Sequence, residues 1–459
     1  MLRPPVPLAL EIAVARAAGR LSRLVGAGGG TTVPGKLIWK LDPGAVDRLA
    51  GRLQLGSAVI SATNGKTTTA AMAASILRGR FRLAHNNSGA NLLSGVASTL
   101  LEARDAELGL FEGDEAALPE VVARVRPKAV CLGNLFRDQL DRYGELEHVA
   151  ARWRRAVQAM SSGAALVVNG DDPQVGALAD DRPGTLVFGV DDPFVARSAL
   201  QHAADSKYCV RCGAPYVYAA AYVGHLGDFR CPTCGHSRPQ LDVVARDIEL
   251  RGLDSVSFKL VSPQGTETVR LGLPGLYNVY NALSAASLTL TLGATLPEVV
   301  AGLEAFSAAF GRFERIEIGE RKLLMLLIKN PAGANEAVRT IVDGGAPKVA
   351  VVALNDAIAD GRDVSWIWDV DFEPLLAGLH RLVATGERAA ELALRFKYGG
   401  LDPGAIQVIP NLDAALDRGL ELTPAGGELL VLPTYTAMLA LRKVIGDRGF
   451  VRPYWERAA

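Results

Sequence analysis

The sequence predicts an α/β protein with two parallel-sheet domains and a cysteine-bearing insert. Three observations carry that reading. From residue 58 to about 310, short buried-strand runs alternate with helical patterns, the signature of a parallel sheet with helical crossovers. A second, shorter series of such runs begins after Arg315. In the first series sits a foreign segment, Tyr208 to Pro239, aromatic and glycine-rich, which holds four of the five cysteines. At 459 residues the chain is too long for one ordinary core, so two or three domains are expected.

Taken in order, residues 1–56 read as an N-terminal helical segment. Pro7 to Leu24 is apolar but interrupted by Glu11, Arg16, Arg20 and Arg23, an amphipathic helix pattern rather than a signal peptide. Packing on the protein's own core is its simplest role, and contact with a membrane surface is the alternative. Residues 57–310 form the first α/β domain. Its strand runs include Ala58 to Ile60, Leu108 to Phe111, Ala129 to Leu132, Ala165 to Val168 and Thr185 to Gly189. Residues 311–459 form the second, Rossmann-like domain, with strands at Lys322 to Ile328, Lys348 to Leu354, Arg381 to Thr385, Ile406 to Ile409 and Glu428 to Leu432. The boundary is expected near Phe310 to Glu314. Charge is balanced, 49 basic against 49 acidic residues, which gives no electrostatic reason to expect nucleic-acid binding. No run reaches the ~18 uncharged apolar residues of a membrane-spanning helix, so a cytoplasmic protein is expected.

The first strand ends in Thr63-Asn64-Gly65-Lys66-Thr67-Thr68-Thr69, and a helical pattern follows at once. Strand, Gly-Lys-Thr loop and helix make a phosphate cradle, in which backbone N–H groups and the helix N-terminus face the phosphates. Lys66 is suited to the β/γ oxygens and the Thr67 hydroxyl to Mg²⁺. The general pattern asks for glycine five positions before Gly65, where this chain has Ile60. An ordinary turn with a solvated lysine is the alternative. Glu112-Gly113-Asp114-Glu115 follows the next strand, and carboxylates at a strand's carboxyl end can hold Mg²⁺ or simply cap a helix. Asn134 to Gly144 and Asn169-Gly170-Asp171-Asp172-Pro173 are polar runs after the two following strands.

The insert, residues 205–239, reads Cys209-x₂-Cys212, eighteen residues, Cys231-x₂-Cys234, with Gly213 and Gly235 after the second cysteine of each pair. Two such knuckles are the signature of a structural zinc ribbon, and two disulfides are the alternative. His225 and His236 are expected as surface or supporting residues rather than ligands. Cys131, in a strand pattern, is expected as core.

Thr-Asn-Gly-Lys-Thr-Thr-Thr resembles the loop of the Mur ligases and folylpolyglutamate synthases, which join an amine to an ATP-activated carboxylate. The Mur ligases also carry counterparts of the runs after the later strands. Tyr277-Asn278-Val279-Tyr280-Asn281-Ala282 and Gly311-Arg312-Phe313-Glu314 match two more of their segments. The resemblance implies that Asn278 and Asn281 lie near the nucleotide and that Arg312 reaches a phosphate. Departures narrow it. Only 57 residues precede the loop strand, too few for the domain of roughly a hundred residues that grips a UDP-linked substrate. The ribbon is foreign to the amino-acid-adding enzymes. The second domain carries Leu326 to Pro331, Leu354-Asn355-Asp356, Ala359 to Asp371 and Leu432 to Met438 in place of their motifs.

These features resemble the MurT family, the ligase subunits of lipid II isoglutaminyl synthase, which pair with a GatD-type class I glutaminase. The resemblance implies ATP-dependent amidation of the D-glutamate α-carboxylate of lipid II, with ATP, Mg²⁺ and a structural Zn²⁺. It also implies a peripheral place at the inner face of the plasma membrane. The cysteines agree with a separate ammonia source, since no Cys–His nucleophile is readable. Lys66 and Glu112 are the expected catalytic residues, with Lys329 and Arg312 on the transferring phosphoryl group. Asp363, or else Asp356, is the candidate to orient the partner's histidine, with Trp366 and Trp368 as interface anchors. An amino-acid-adding ligase and a non-catalytic ATP-binding scaffold are the competing readings.

Overall fold

A computed structural model describes residues 12–17, 19, 32–86, 90–138, 144–197, 200–201, 204–307, 313–345 and 348–451. Residues 12–17 are helical, and Ile12 and Ala15 are buried in the same apolar cluster as Ile38 and Leu101. This part of the N-terminal segment therefore packs on the core. No helix among the described residues is long and apolar enough to cross a membrane.

Eleven strands belong to the region before residue 272: β1 (Ser57–Ser61), β2 (Leu83–His85), β3 (Leu108–Glu112), β4 (Ala129–Leu132), β5 (Ala165–Asn169), β6 (Leu186–Val190), β7 (Val217–Val223), β8 (Leu226–Arg230), β9 (Val243–Arg251), β10 (Ser255–Ser262) and β11 (Gly265–Leu271). Nine of them form one sheet in the order β11-β10-β9-β6-β5-β4-β1-β3-β2. The strands from β2 to β6 are parallel, and β1, β3 and β4 are buried along their whole length. Such strands read as continuous apolar runs because helices cover both faces. The expected helical alternation fails at β9–β11, an antiparallel meander at the sheet's edge. In β11 four successive residues are exposed and only Val269 and Leu271 are buried, so its apolar signal is weak.

The second sheet uses β12 (Glu314–Ile318), β13 (Arg321–Met325), β14 (Val349–Ala353), β15 (Arg381–Thr385), β16 (Ile406–Val408) and β17 (Glu428–Pro433), in the order β12-β13-β17-β14-β15-β16. All neighbours pair in parallel except β12 with β13. Regular β13 stops at Met325, short of the expected Ile328. The chain beyond it stays bonded to the neighbouring segment from Leu326 N to Val431 O and from Ile328 N to Pro433 O, both 3.0 Å. It thereby carries Lys329 and Asn330 to the carboxyl edge of the sheet, opposite the Gly-Lys-Thr loop.

Three helices matter for the site. Helix α1 (Lys66–Leu77) follows the loop, α2 (Leu276–Thr291) packs across the first sheet, and α3 (Pro331–Asp343) opens the second domain's first crossover. Helix α3 is well started: Pro331 stands in its first turn, and the Asn330 side chain accepts from Gly333 N at 2.9 Å.

Candidate active site

Gly65 precedes α1 with φ at 85°, a backbone conformation that disfavours L side chains. Space is as restrictive as φ, because a Cβ there would lie 1.9 Å from Asn281 Oδ1 on α2. Gly65→Ala is therefore expected to displace either the loop or α2. Nucleotide affinity should fall at least about tenfold, which a titration with a fluorescent ATP analogue would read.

Lys66 is buried and its Nζ lies 2.7 Å from Glu115 Oε2. Burial pulls the ammonium's pKa down, but Glu115, Asp114 and Glu112 outweigh it, and the net shift is upward. Burial likewise pushes Glu115 up, and Lys66 and Lys329 bring it below the ordinary value. The pair is thus ionised and desolvated. Thr67 Oγ1 donates to Glu112 Oε1 at 2.9 Å. A hydroxyl and a carboxylate oxygen side by side at a phosphate loop are a hard-oxygen donor set that fits Mg²⁺. Glu115 was one of four residues in a polar run, and nothing in that run singled it out as the lysine's partner.

The loop is braced by the segment after β4. Asn134 accepts from Asn64 N at 2.9 Å through Oδ1 and donates to Asn64 O at 3.0 Å. Thr63 Oγ1 accepts from Phe136 N at 3.1 Å, so Thr63 serves this brace. Asn64 also exchanges two side-chain hydrogen bonds with Asn330, of 3.2 and 3.0 Å, and so joins the two domains. Lys329 Nζ pairs with Asp138, and Arg137 pairs with Asp205 and, at 3.5 Å, with Asp369. Between the domains opens a cleft lined by Asn64, Gly65, Thr68 and Lys329 and by the apolar or aromatic Phe136, Val223, Leu226 and Tyr277. Loop groups suited to phosphate together with apolar walls suit a nucleotide. Asn278 and Asn281 line the cleft; Asn281 Nδ2 donates to Asn278 Oδ1 at 3.1 Å. Arg312 and residues 139–143 lie outside the described residues.

Asp171 and Asp172 face inward. Asp171 accepts from Tyr280 Oη and Val190 N, each at 2.7–2.8 Å, and burial pushes its carboxyl up to about 6. Asp172 Oδ1 caps the turn at Gln174 and Oδ2 accepts from Leu135 N at 2.8 Å. His225, expected as a surface or supporting residue, is fully buried: it lies in the tight turn of the β7–β8 hairpin, 4.7 Å from the Phe136 ring, with Nε2 3.3 Å from Asp172 Oδ2. The hairpin therefore reaches from the cysteine knuckles to the cleft wall.

The four thiols of Cys209, Cys212, Cys231 and Cys234 lie within 4.8 Å of one another and form no disulfide. The Cys209–Cys234 and Cys212–Cys231 sulfurs are 3.5 Å apart. A zinc tetrahedron with ~2.3 Å arms has edges of about 3.8 Å, so the set fits that ion. Gly213 and Gly235 take φ of 74° and 77° where each knuckle turns. His236 supports the cluster, with Nδ1 2.7 Å from Tyr216 Oη.

Residues 60–214 match the Mur ligase middle domain and residues 327–438 the MurT ligase C-terminal domain. The chain is 33% identical to the lipid II isoglutaminyl synthase (glutamine-hydrolyzing) subunit MurT of Streptococcus pneumoniae, over 94% of this chain and 95% of that one. The subunit of the same name from Staphylococcus aureus is 30% identical, over 96% and 98%. The chain belongs to the MurT family. MurT is a Mur ligase in fold: a pseudomurein peptide ligase type C from Methanothermus fervidus superposes with a TM-score of 0.70 at 21% identity, covering 88% of this chain and 80% of that one. Ligase chemistry and peptidoglycan synthesis follow for the family, and the MurT relatives are named as subunits of a complex.

Proposed function

We propose that this chain is the synthetase subunit of a lipid II isoglutaminyl synthase, amidating the D-glutamate α-carboxylate of the stem peptide with ammonia from a GatD-type glutaminase. The observation that carries the reading is the Gly-Lys-Thr loop, with its Lys66–Glu115 and Thr67–Glu112 contacts, beside a cleft that its Gly65 and Thr68 line together with Lys329 of the other domain, in a chain similar to MurT along nearly all its length. Lys66 and the helix N-terminus would hold the ATP phosphates. Thr67 and Glu112 would hold Mg²⁺, which neutralises phosphate charge. The glutamate carboxylate attacks the γ-phosphoryl group, the bond to the β–γ bridging oxygen breaks and ADP departs, giving an acyl phosphate from which ammonia displaces phosphate. Catalysis is positioning and charge stabilisation, with Lys329 brought in as the domains close.

A separate ammonia source is supported by the cysteines. Four form the metal cluster, and Cys131 is buried in β4, its thiol pushed up to about 12 by burial. It is therefore no nucleophile. For the partner, Asp363 is better disposed than Asp356. Asp356 is tied to Arg388 at 2.8 Å, whereas Asp363 is exposed and accepts from Ser365 N through Oδ1. Trp368, half exposed, stands close by as an anchor. This function places the protein in the cytoplasm at the membrane's inner face, where its lipid-linked substrate lies.

The test is amide formation on lipid II with ATP and glutamine, with and without the glutaminase. Product only when both chains are present is expected. ATP turnover stimulated by a soluble amino acid, with no amide formed, would favour an amino-acid-adding ligase instead. Asp363→Asn should abolish glutamine-dependent amidation while amidation from saturating ammonium persists; unchanged glutaminase activity would remove Asp363 from the partner's site.

A further inference from the structure

Asp138 stands where two cavities meet. One lies behind the braced loop and is lined by Thr63, Glu115 and Asp138. The other, of about 130 Å³, opens between the domains and is lined by Arg137, Asp138, Lys329, Asp360, Asp363 and Trp366. The Asp138 side chain is only 5% exposed. Its Oδ2 accepts from Lys329 Nζ, but its Oδ1 is buried with no hydrogen-bond partner among the described residues. A buried carboxylate oxygen left unsatisfied is costly, so the site is built to receive a donor. Beyond the Asp138–Lys329 pair, the chamber carries three further carboxylates, Asp360, Asp363 and Asp369, which disfavour an anion there and favour a small cation. Arg137 does not offset them, since it is engaged by Asp205 and Asp369.

Resting on the amidation reading, we propose that this interdomain chamber binds ammonium and that Asp138 is the catalytic base that takes its first proton. The geometry suits the sequence of events. The chamber is lined both by the exposed Asp363, on the stretch assigned to the glutaminase, and by Lys329, which also lines the cleft beside the Gly-Lys-Thr loop. Ammonium gives one proton to Asp138 Oδ1 and becomes ammonia. The nitrogen lone pair forms the C–N bond at the acyl-phosphate carbonyl, and the C–O bond to phosphate breaks. The departing phosphate takes the proton that nitrogen sheds, leaving the amide. Burial pushes the Asp138 carboxyl above its ordinary pKa, against the pull of Lys329, which suits a proton acceptor.

Hydroxylamine provides the test, because it is largely unprotonated at neutral pH and needs no base to become a nucleophile. The full chain with its glutaminase partner is given lipid II, ATP and either ammonium chloride or hydroxylamine. Asp138→Asn keeps the side-chain volume and an oxygen for Lys329. It is expected to lower amide formation from ammonium about 100-fold. Hydroxamate formation should stay within about threefold of wild type, which also reports that the variant is folded. Asp138→Glu should recover part of the amide rate. An equal fall in both products, or no fall in either, overturns the assignment. Failure of the wild-type complex to make either product would instead overturn the amidation reading on which it rests.

Discussion

Lys66→Ala is expected to end ATP-dependent turnover, with a loss of at least roughly 10²–10³ in kcat, the range found when one charge-stabilising donor is removed from a desolvated site. The loss should exceed that of an exposed phosphate-binding lysine for a reason visible around it. Lys66 is buried and is the partner of Glu115, itself 4% exposed, with Asp114 and Glu112 adding to the local negative charge. Without the ammonium, the negative charge of Glu115, Asp114 and Glu112 is left uncompensated beside the phosphate loop, so binding as well as chemistry suffers. Breaking a buried pair by removing one member costs about 3–5 kcal/mol. The variant should therefore melt well below wild type, and the double variant Lys66→Ala/Glu115→Ala should regain much of the melting temperature without regaining activity. Thermal melts and ATP-turnover assays on the three proteins check this. A Lys66→Ala protein that still amidates at the wild-type rate would mean the cleft only controls assembly, as a scaffold would.

The phosphate loop was legible because its whole signal is local: an apolar strand, Gly-Lys-Thr and a helix occupy twenty residues. The ribbon was legible for the same reason, since ligand spacing alone sets a knuckle. What remained hidden depends on how distant segments meet. Asn64 and Asn330 are separated by 266 residues and exchange two hydrogen bonds, yet each reads in sequence as a turn or cap residue. Glu115 is one of three carboxylates within four residues, and only the direction of the chain after β3 turns it towards Lys66. The full burial of His225 is not announced by its place after a glycine in an aromatic and glycine-rich insert. The hairpin that carries it folds back onto Phe136, where even Gly224 is constrained, since a Cβ there would stand 2.8 Å from the ring. The strands β9–β11 were missed because one face is wet and their apolar residues are diluted.

Zinc removal should weaken nucleotide binding as well as unfold the ribbon, because of that hairpin. The ribbon's own core is small: among the described residues it consists of Cys209, Tyr216, Phe229 and Cys231, with Ala214 and Tyr218 packed against it. So small a cluster offers little stability alone, and structural zinc supplies about 10–16 kcal/mol of apparent binding energy in isolated zinc-finger peptides. Chelation, or Cys231→Ser at a fully buried ligand, is expected to open the insert to protease between Tyr208 and Pro239. The far end of the hairpin, however, belongs to the cleft. Val223 and Leu226 belong to its apolar wall, His225 packs on Phe136, and Arg339 of the second domain donates to Tyr222 O at 3.1 Å. Burying one such aliphatic side chain is worth about 1.5–3 kcal/mol. Losing even part of that wall should raise the Kd for ATP roughly tenfold, at about 1.4 kcal/mol per factor of ten. His225→Ala separates the two effects: it should keep a full complement of zinc by metal analysis and still bind ATP several-fold more weakly. Equal ATP affinity in the zinc-loaded and zinc-stripped proteins would show that the ribbon folds apart from the cleft, and the coupling through Phe136 would then have no consequence.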